Sequence, residues 1–193
     1  EARLQALTAR IRPHFLFNSL NAVLSLIRAR PKEAEAALEA LSDLFRAAMR
    51  DPSERVSLAD EIALGRQYLE LEQLRLGERL TVDWQLGELA LDLPIPPLML
   101  QPLLENAVRH GIEPLPEGGT VVVGLERRGD ELLVRIANPT AGRSAAAAGN
   151  QMALLNIRER LALYYDLEAR LETEIDDHHY EVRIVLPCQR KPR

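Results

Sequence analysis

Apolar residues recur at helical spacing over residues 1–29, 32–50 and 57–76, and from Leu80 onward the period shortens to two. Arg30-Pro31 and Asp51-Pro52-Ser53 interrupt the helical stretches, and Gly77 is a stop after the third. Ser57, with Asp60 three residues on, has the form of a capping box. Leu80 to Leu86 alternates as a half-buried strand does, with Trp84 anchoring the start of a second core. Further strands are expected at about 119–127, 131–137, 169–176 and 179–186. Arg128-Gly129-Asp130 and Asp177-His178 supply hairpin turns. Helices near 97–110 and 151–165 fall between the strands. The chain therefore reads as α+β: a helical module, then helices layered on one side of a mostly antiparallel sheet. The boundary falls at 77/78, giving parts 1–77 and 78–193.

Within the first helix, Pro13 precedes His14. Proline in a helix interior costs about 3 kcal/mol, so presentation of the histidine outweighs helix stability here. At about 100° per residue, Asn18, Asn21 and Ser25 share the face of His14, while Phe17, Leu20, Leu24 and Ile27 lie on roughly the opposite side. Leu4, Leu7 and Ile11 lie nearly on the His14 side, so the buried face is expected to change at Pro13. A solvated polar stripe with an incidental histidine is the other reading. A second segment, Pro94 to Ile112, opens a helix after its prolines, with Gly111 as the expected stop. Asn106, Arg109 and His110 fall three and four residues apart, beside Glu105. An amide, a guanidinium and an imidazole on one face suit a hydrated divalent cation and a phosphate. The alternative is an amphipathic helix with a polar outer face.

Together, Pro-His-Phe-Leu-Phe-Asn and Leu-Gln-Pro-Leu-Leu-Glu-Asn-Ala-Val-Arg-His-Gly resemble the LytS/YehU-type sensor histidine kinases, most closely the AlgZ (FimS)-like branch. Leu58 to Leu80 resembles the family's connecting helix, and Asn156-Ile157-Arg158-Glu159-Arg160-Leu161 the helix after its nucleotide lid. The resemblance implies a helical dimerisation and phosphoacceptor module followed by a GHKL (Bergerat-type) ATP-binding sandwich. It implies Mg-ATP-dependent phosphorylation of His14 and transfer to a response-regulator aspartate. Asn106 would bind Mg²⁺ through its side-chain oxygen, Arg109 would contact phosphate, and His110 would lie over the sugar or phosphates. Glu105 would polarise either the magnesium shell or the acceptor histidine. Asn18 would orient the His14 ring or make a helix–helix contact. A homodimer and an upstream membrane sensor region are also implied, making this the cytoplasmic portion of a bacterial inner-membrane protein.

Two family pieces are altered. Ala137 falls where the adenine-reading aspartate is expected, and Asn138 substitutes only if the register shifts by one. In the glycine box, Gly149-Asn150-Gln151-Met152-Ala153-Leu154 keeps one glycine, which leaves Gly149, Asn150 and Leu154 as nucleotide contacts. The small residues from Ala141 to Ala148 read either as a mobile lid loop or as a disordered surface loop, with a helix start near Met152 that favours an anion. A second function follows: a degenerate ATPase domain on a dimeric scaffold that controls a regulator without phosphorylating His14.

Charge and composition narrow the picture further. A formal net charge of −5 gives no basis for nucleic-acid binding, and no run of 18 apolar residues marks a membrane span. The single cysteine, Cys188, excludes an internal disulfide. His178-His179 reads as a hairpin tip rather than a metal site. The opening residues, Glu1 to Leu7, start in mid-pattern and read as part of a longer helix.

Overall fold

The computed structural model describes residues 13–51, 53–140 and 142–188, with the side chains of Pro13, His14 and residues 143–153 outside that description. The bend expected at Pro13 and the stripe Leu4, Leu7 and Ile11 lie outside the described residues.

Helices α1 (Pro13–Leu26) and α2 (Pro31–Met49) form a hairpin that packs on α3 (Leu58–Leu76). Pro31 sits at the first position of α2, where its missing N–H costs nothing. The Ser57–Asp60 capping box forms in both directions, with Asp60 N–H donating to Ser57 Oγ at 3.1 Å and Ser57 N–H to Asp60 Oδ2 at 3.4 Å. Gly77 ends α3 at φ +59°, in the left-handed region open to glycine. On α1 the inward side is Ser19, Val23 and Leu26, with Phe15 stacked at 5.2 Å on Tyr68 of α3. Phe17, Leu20, Leu24 and Ile27 stay exposed.

A five-stranded sheet follows in the order β2-β4-β5-β7-β6, where β2 is Leu80–Leu86, β4 Gly119–Arg128, β5 Glu131–Pro139, β6 Arg170–Ile175 and β7 His179–Pro187. β2 runs parallel to β4 and the other pairs are antiparallel. Two short strands, β1 (Val56–Ser57) and β3 (Pro94–Ile95), pair beside the start of α3. Helices α4 (Gln101–Asn106) and α5 (Arg143–Tyr165) cover one sheet face. Val121, Val123, Leu125, Leu132, Val134, Ile136, Val182, Ile184 and Leu186 point into that layer and meet Leu103, Leu104, Val108, Ile157 and Leu161. The buried cluster is continuous from Val23 to Leu186, and α3 joins the helical hairpin to the sheet layer. Gly65 brings α3 close to Leu104 and Trp84, and Arg66 lies over the Trp84 ring at 4.8 Å.

Three expectations change. Gly111 does not stop its helix. α4 passes into a π-helical turn over Ala107–Ile112, closed by Glu113 N–H donating to the Val108 carbonyl at 2.9 Å. The helix expected from 97 starts at Gln101, because Pro97–Leu100 forms a separate turn in which Leu98 has φ +55°. α5 starts at Arg143 rather than near 151, since the run Ala145–Ala148 favours helix over loop. The lid loop and the helix start near Met152 are therefore replaced by continuous helical backbone.

The other sheet face is polar. Arg135 donates to Glu181 at 3.0 Å and to Gln85 at 2.9 Å, and Arg183 also pairs with Glu181. Burial by itself would push the Glu181 carboxyl up, but Arg135 and Arg183 hold it below the usual carboxylate range. A lowered folded-state pKa gives stability that is present above the unfolded value of about 4.5 and lost as pH falls through the folded one. Glu181→Gln should therefore flatten the fall in melting temperature below pH 4.5. Melting curves from pH 3 to 7 check this, and an unchanged acid limb would refute it.

Candidate functional site

The site is built from the end of α4 and the end of β5. Asn106 closes α4 and is 4% exposed, while the π turn that follows leaves His110 half-buried and Arg109 exposed. The three residues thus sit at different depths rather than on one equally exposed face. The Asn106 Oδ1 atom is buried and has no hydrogen-bond partner among the described residues. A buried amide oxygen in that state is costly unless something accepts its lone pairs. One turn earlier, Gln101 Nε2 donates to Glu105 Oε1 at 3.0 Å and fixes that half-buried carboxylate.

Asn138 enters from the sheet. Strand register puts it opposite the buried Tyr180, on the face that carries Ile136 and Val134 toward the helices. A Cβ added at Gly111 would lie 2.2 Å from Asn138 Nδ2 and 2.9 Å from its Cβ. The π turn and the Asn138 amide are therefore in direct contact, and this close approach accounts for the glycine. Asn138 Nδ2 donates to the Pro139 carbonyl at 2.7 Å. Ala137 pairs with Val122 and Glu181 on the opposite, polar face. Strand alternation thus makes Asn138, not Ala137, the residue presented to the site.

The remaining candidates lie elsewhere. His14 occupies the first turn of α1, and its side chain lies outside the described residues. Asn18, one turn on, is half-buried. Gly149 and Asn150 fall on the helical backbone of α5, with side chains outside the described residues, and Leu154 is half-buried on the same helix. α3 packs against both α1 and α4, so it stands between the His14 helix and the Asn106 helix. His178 and His179 do form a hairpin tip, with both backbone N–H groups donating to Asp176 Oδ1. No group of His, Cys, Asp and Glu able to hold a metal ion occurs among the described residues.

Sequence reasoning passed over Glu61. It is buried on α3, and its carboxylate accepts from the N–H groups of Leu98 at 2.6 Å, Met99 at 2.8 Å and Leu100 at 3.1 Å. Burial pushes this carboxyl up, against the pull of those amides and of Arg160. Arg160 of α5 donates to the carbonyls of Pro97 and Leu98. One signal was present: Glu61 stands beside Leu58, Ile62 and Gly65 on the apolar face of its helix, where an acid is out of place.

A helical hairpin, a connecting helix and an α/β layer with an asparagine-bearing helix over the sheet define a histidine kinase core of the GHKL fold. Comparison with known proteins agrees. Residues 2–80 match the family model described as histidine kinase. The chain is 32% identical to the sensor histidine kinase BtsS of Escherichia coli strain K12 over 97% of its own length and 34% of that protein. It is 29% identical to the sensor protein LytS of Oceanobacillus iheyensis over 97% of its length and 34% of that protein. The histidine kinase domain of the blue-light activated kinase from Erythrobacter litoralis EL346 shares the fold, with TM-score 0.55 and 15% identity over 97% of this chain and 91% of that one. The chain belongs to the LytS/YehU-type sensor histidine kinase family. It spans about a third of the length of the curated relatives it matches.

Gly111→Ala should force Asn138 out of place at a cost of about 1–3 kcal/mol. Denaturant unfolding followed by Trp84 fluorescence checks this, and a variant as stable as the parent would refute the contact.

Proposed function

We propose that this chain is the cytoplasmic kinase region of a two-component sensor, which phosphorylates His14 from Mg-ATP and passes the phosphoryl group to a response-regulator aspartate. The observation that carries this is the buried Asn106 Oδ1, without a hydrogen-bond partner among the described residues, at the start of the π turn that Asn138 touches at Gly111, in a fold shared with histidine kinases. A hard cation takes oxygen ligands, so the Asn106 amide oxygen fits magnesium. Bound there, magnesium would neutralise charge on the substrate's phosphates. Asn138 Oδ1 suits the adenine amino group as a neutral acceptor. Exposed Arg109 suits a phosphate, and half-buried His110 suits the sugar or phosphates. Glu105 would act on the magnesium shell or on the acceptor histidine.

The reaction needs positioning and charge neutralisation more than covalent help. A neutral imidazole nitrogen of His14 forms a bond to the γ-phosphorus as the bond to the ADP oxygen breaks, and the ring sheds a proton. His14 suits this because its neutral form is abundant near pH 7. The regulator's aspartate oxygen then displaces the imidazole.

We assign residues 1–77 to dimerisation and phosphoacceptance and 78–193 to nucleotide binding. The exposed stripe of Phe17, Leu20, Leu24 and Ile27 supports a homodimer formed through α1. No described helix is long and apolar enough to cross a membrane; an upstream sensor region would supply the membrane attachment. The helical backbone at Gly149 and Asn150 favours a second reading, a dimeric scaffold that controls a regulator without making phosphohistidine.

Labelled γ-phosphate from Mg-ATP should appear on this protein as an acid-labile adduct and vanish in His14→Gln and Asn106→Ala. No label, with no nucleotide heat in calorimetry, would favour the scaffold.

A further inference from the structure

We infer that Glu61 and Arg160 are positioning residues for the nucleotide site, gripping Pro97–Leu100 from both sides and so fixing where α4 presents Asn106. This rests on the kinase reading for what Asn106 binds, but not for the grip itself. Glu61 reaches across from α3 and takes the N–H groups of Leu98, Met99 and Leu100. Arg160 reaches from α5 and binds the carbonyls of Pro97 and Leu98. The same turn is thus held by its donors from one helix and by its acceptors from another.

α4, before it runs on into the π turn, has no side-chain cap of its own at its start. It is six residues long, and Pro102 lacks an N–H. The turn that leads into it, up to its cap residue Leu100, has N–H groups that need acceptors, and Glu61 supplies both oxygens to them, while Leu103 and Leu104 N–H donate to the Leu100 carbonyl. Leu98 has φ +55°, a conformation that leucine keeps only where surrounding contacts impose it. Asn106 lies at the far end of this short helix, so a slip at Leu100 reaches it directly. The partners come from α3, which packs on the His14 helix, and from α5, which carries Gly149 and Asn150. The turn is therefore the point where all three parts of the site are referred to one another.

The test uses Glu61→Gln and Arg160→Gln, with Leu186→Ala as a control that loses stability at the far end of β7. Gln keeps the shape of Glu but offers one acceptor oxygen where two were used, and its amide N–H₂ opposes a backbone donor. Hydrogen exchange of the nucleotide-free protein is read at residues 98–106, and Mg-ATP affinity is read by calorimetry. Both Gln variants should exchange these amides at least tenfold faster and bind Mg-ATP at least tenfold more weakly than a Leu186→Ala protein of equal melting temperature. Unchanged exchange at 98–106, or affinity losses that track melting temperature in all three variants, would overturn the inference. A parent protein that binds no nucleotide would overturn the kinase reading instead, and the exchange data would still decide the grip.

Discussion

One carboxylate on α3 accepts three consecutive backbone N–H groups at the entrance to α4, and the site hangs on that interaction. Glu61 is buried, and burial pushes its carboxyl up from the ordinary value. Three amides and the Arg160 guanidinium offset this by favouring the charged form. The arrangement is asymmetric in energy. As it stands it gains little, because desolvation opposes the attraction, yet taking away one partner of such a buried set costs about 3–5 kcal/mol. It therefore works less as a source of stability than as a constraint on where α4 begins. The short helix, its π turn, Asn106 and the contact with Asn138 all follow from that starting point.

The sheet supplies a second constraint, its register. Side chains alternate strictly along β5, so Leu132, Val134, Ile136 and Asn138 face the helices while Arg135 and Ala137 face the polar side. A slip of one residue would exchange the two sets. That slip is resisted on both faces, by the apolar layer on one and by the Arg135–Glu181–Arg183 cluster on the other. The polar face is then more than a solvated surface. It pins the strand that aims Asn138 at the π turn, and it gives Ala137 a small, buried slot beside Glu181 where an acid would be repelled.

Elements whose ends carry their own chemistry were legible in the sequence. The Ser57–Asp60 box, Gly77 at a helix stop and the alternation from Leu80 to Leu86 describe local energetics, and each lies where it was expected, whereas Pro31, read as a break, is itself the first residue of α2. The misreadings share a different cause. Gly111 looks like a stop because glycine breaks helices, but here a side chain from a strand 27 residues on takes the space of its Cβ. The start of α5 was misjudged by weighing the family's lid over alanine's plain preference for helix. Asn106, Arg109 and His110 were found by residue type and spacing, but their unequal exposure comes from the π turn, which no spacing rule for an α-helix contains. Glu61 was overlooked because its three partners are backbone groups, which leave no trace in a pattern of side chains.

The geometry of α1 relates the position of His14, the proposed acceptor, to the proposed association of two copies. Counting about 100° per residue, the helix carries three stripes. Phe15, Ser19, Val23 and Leu26 turn inward onto α2 and α3. Phe17, Leu20, Leu24 and Ile27 form a second apolar stripe about a third of a turn away, left open to solvent. The positions of His14, Asn18, Asn21 and Ser25 fill the remaining sector. Burying four such side chains would contribute up to about 1.5–3 kcal/mol each toward the proposed pairing of two copies, against the cost of association. Pairing through the second stripe and packing through the first leave one polar sector, the one to which His14 belongs. On the proposed reading the acceptor position follows by exclusion: with one apolar stripe packed on α2 and α3 and the other taken by a second copy, the polar sector is the part of α1 left for a nucleotide domain or a regulator to reach.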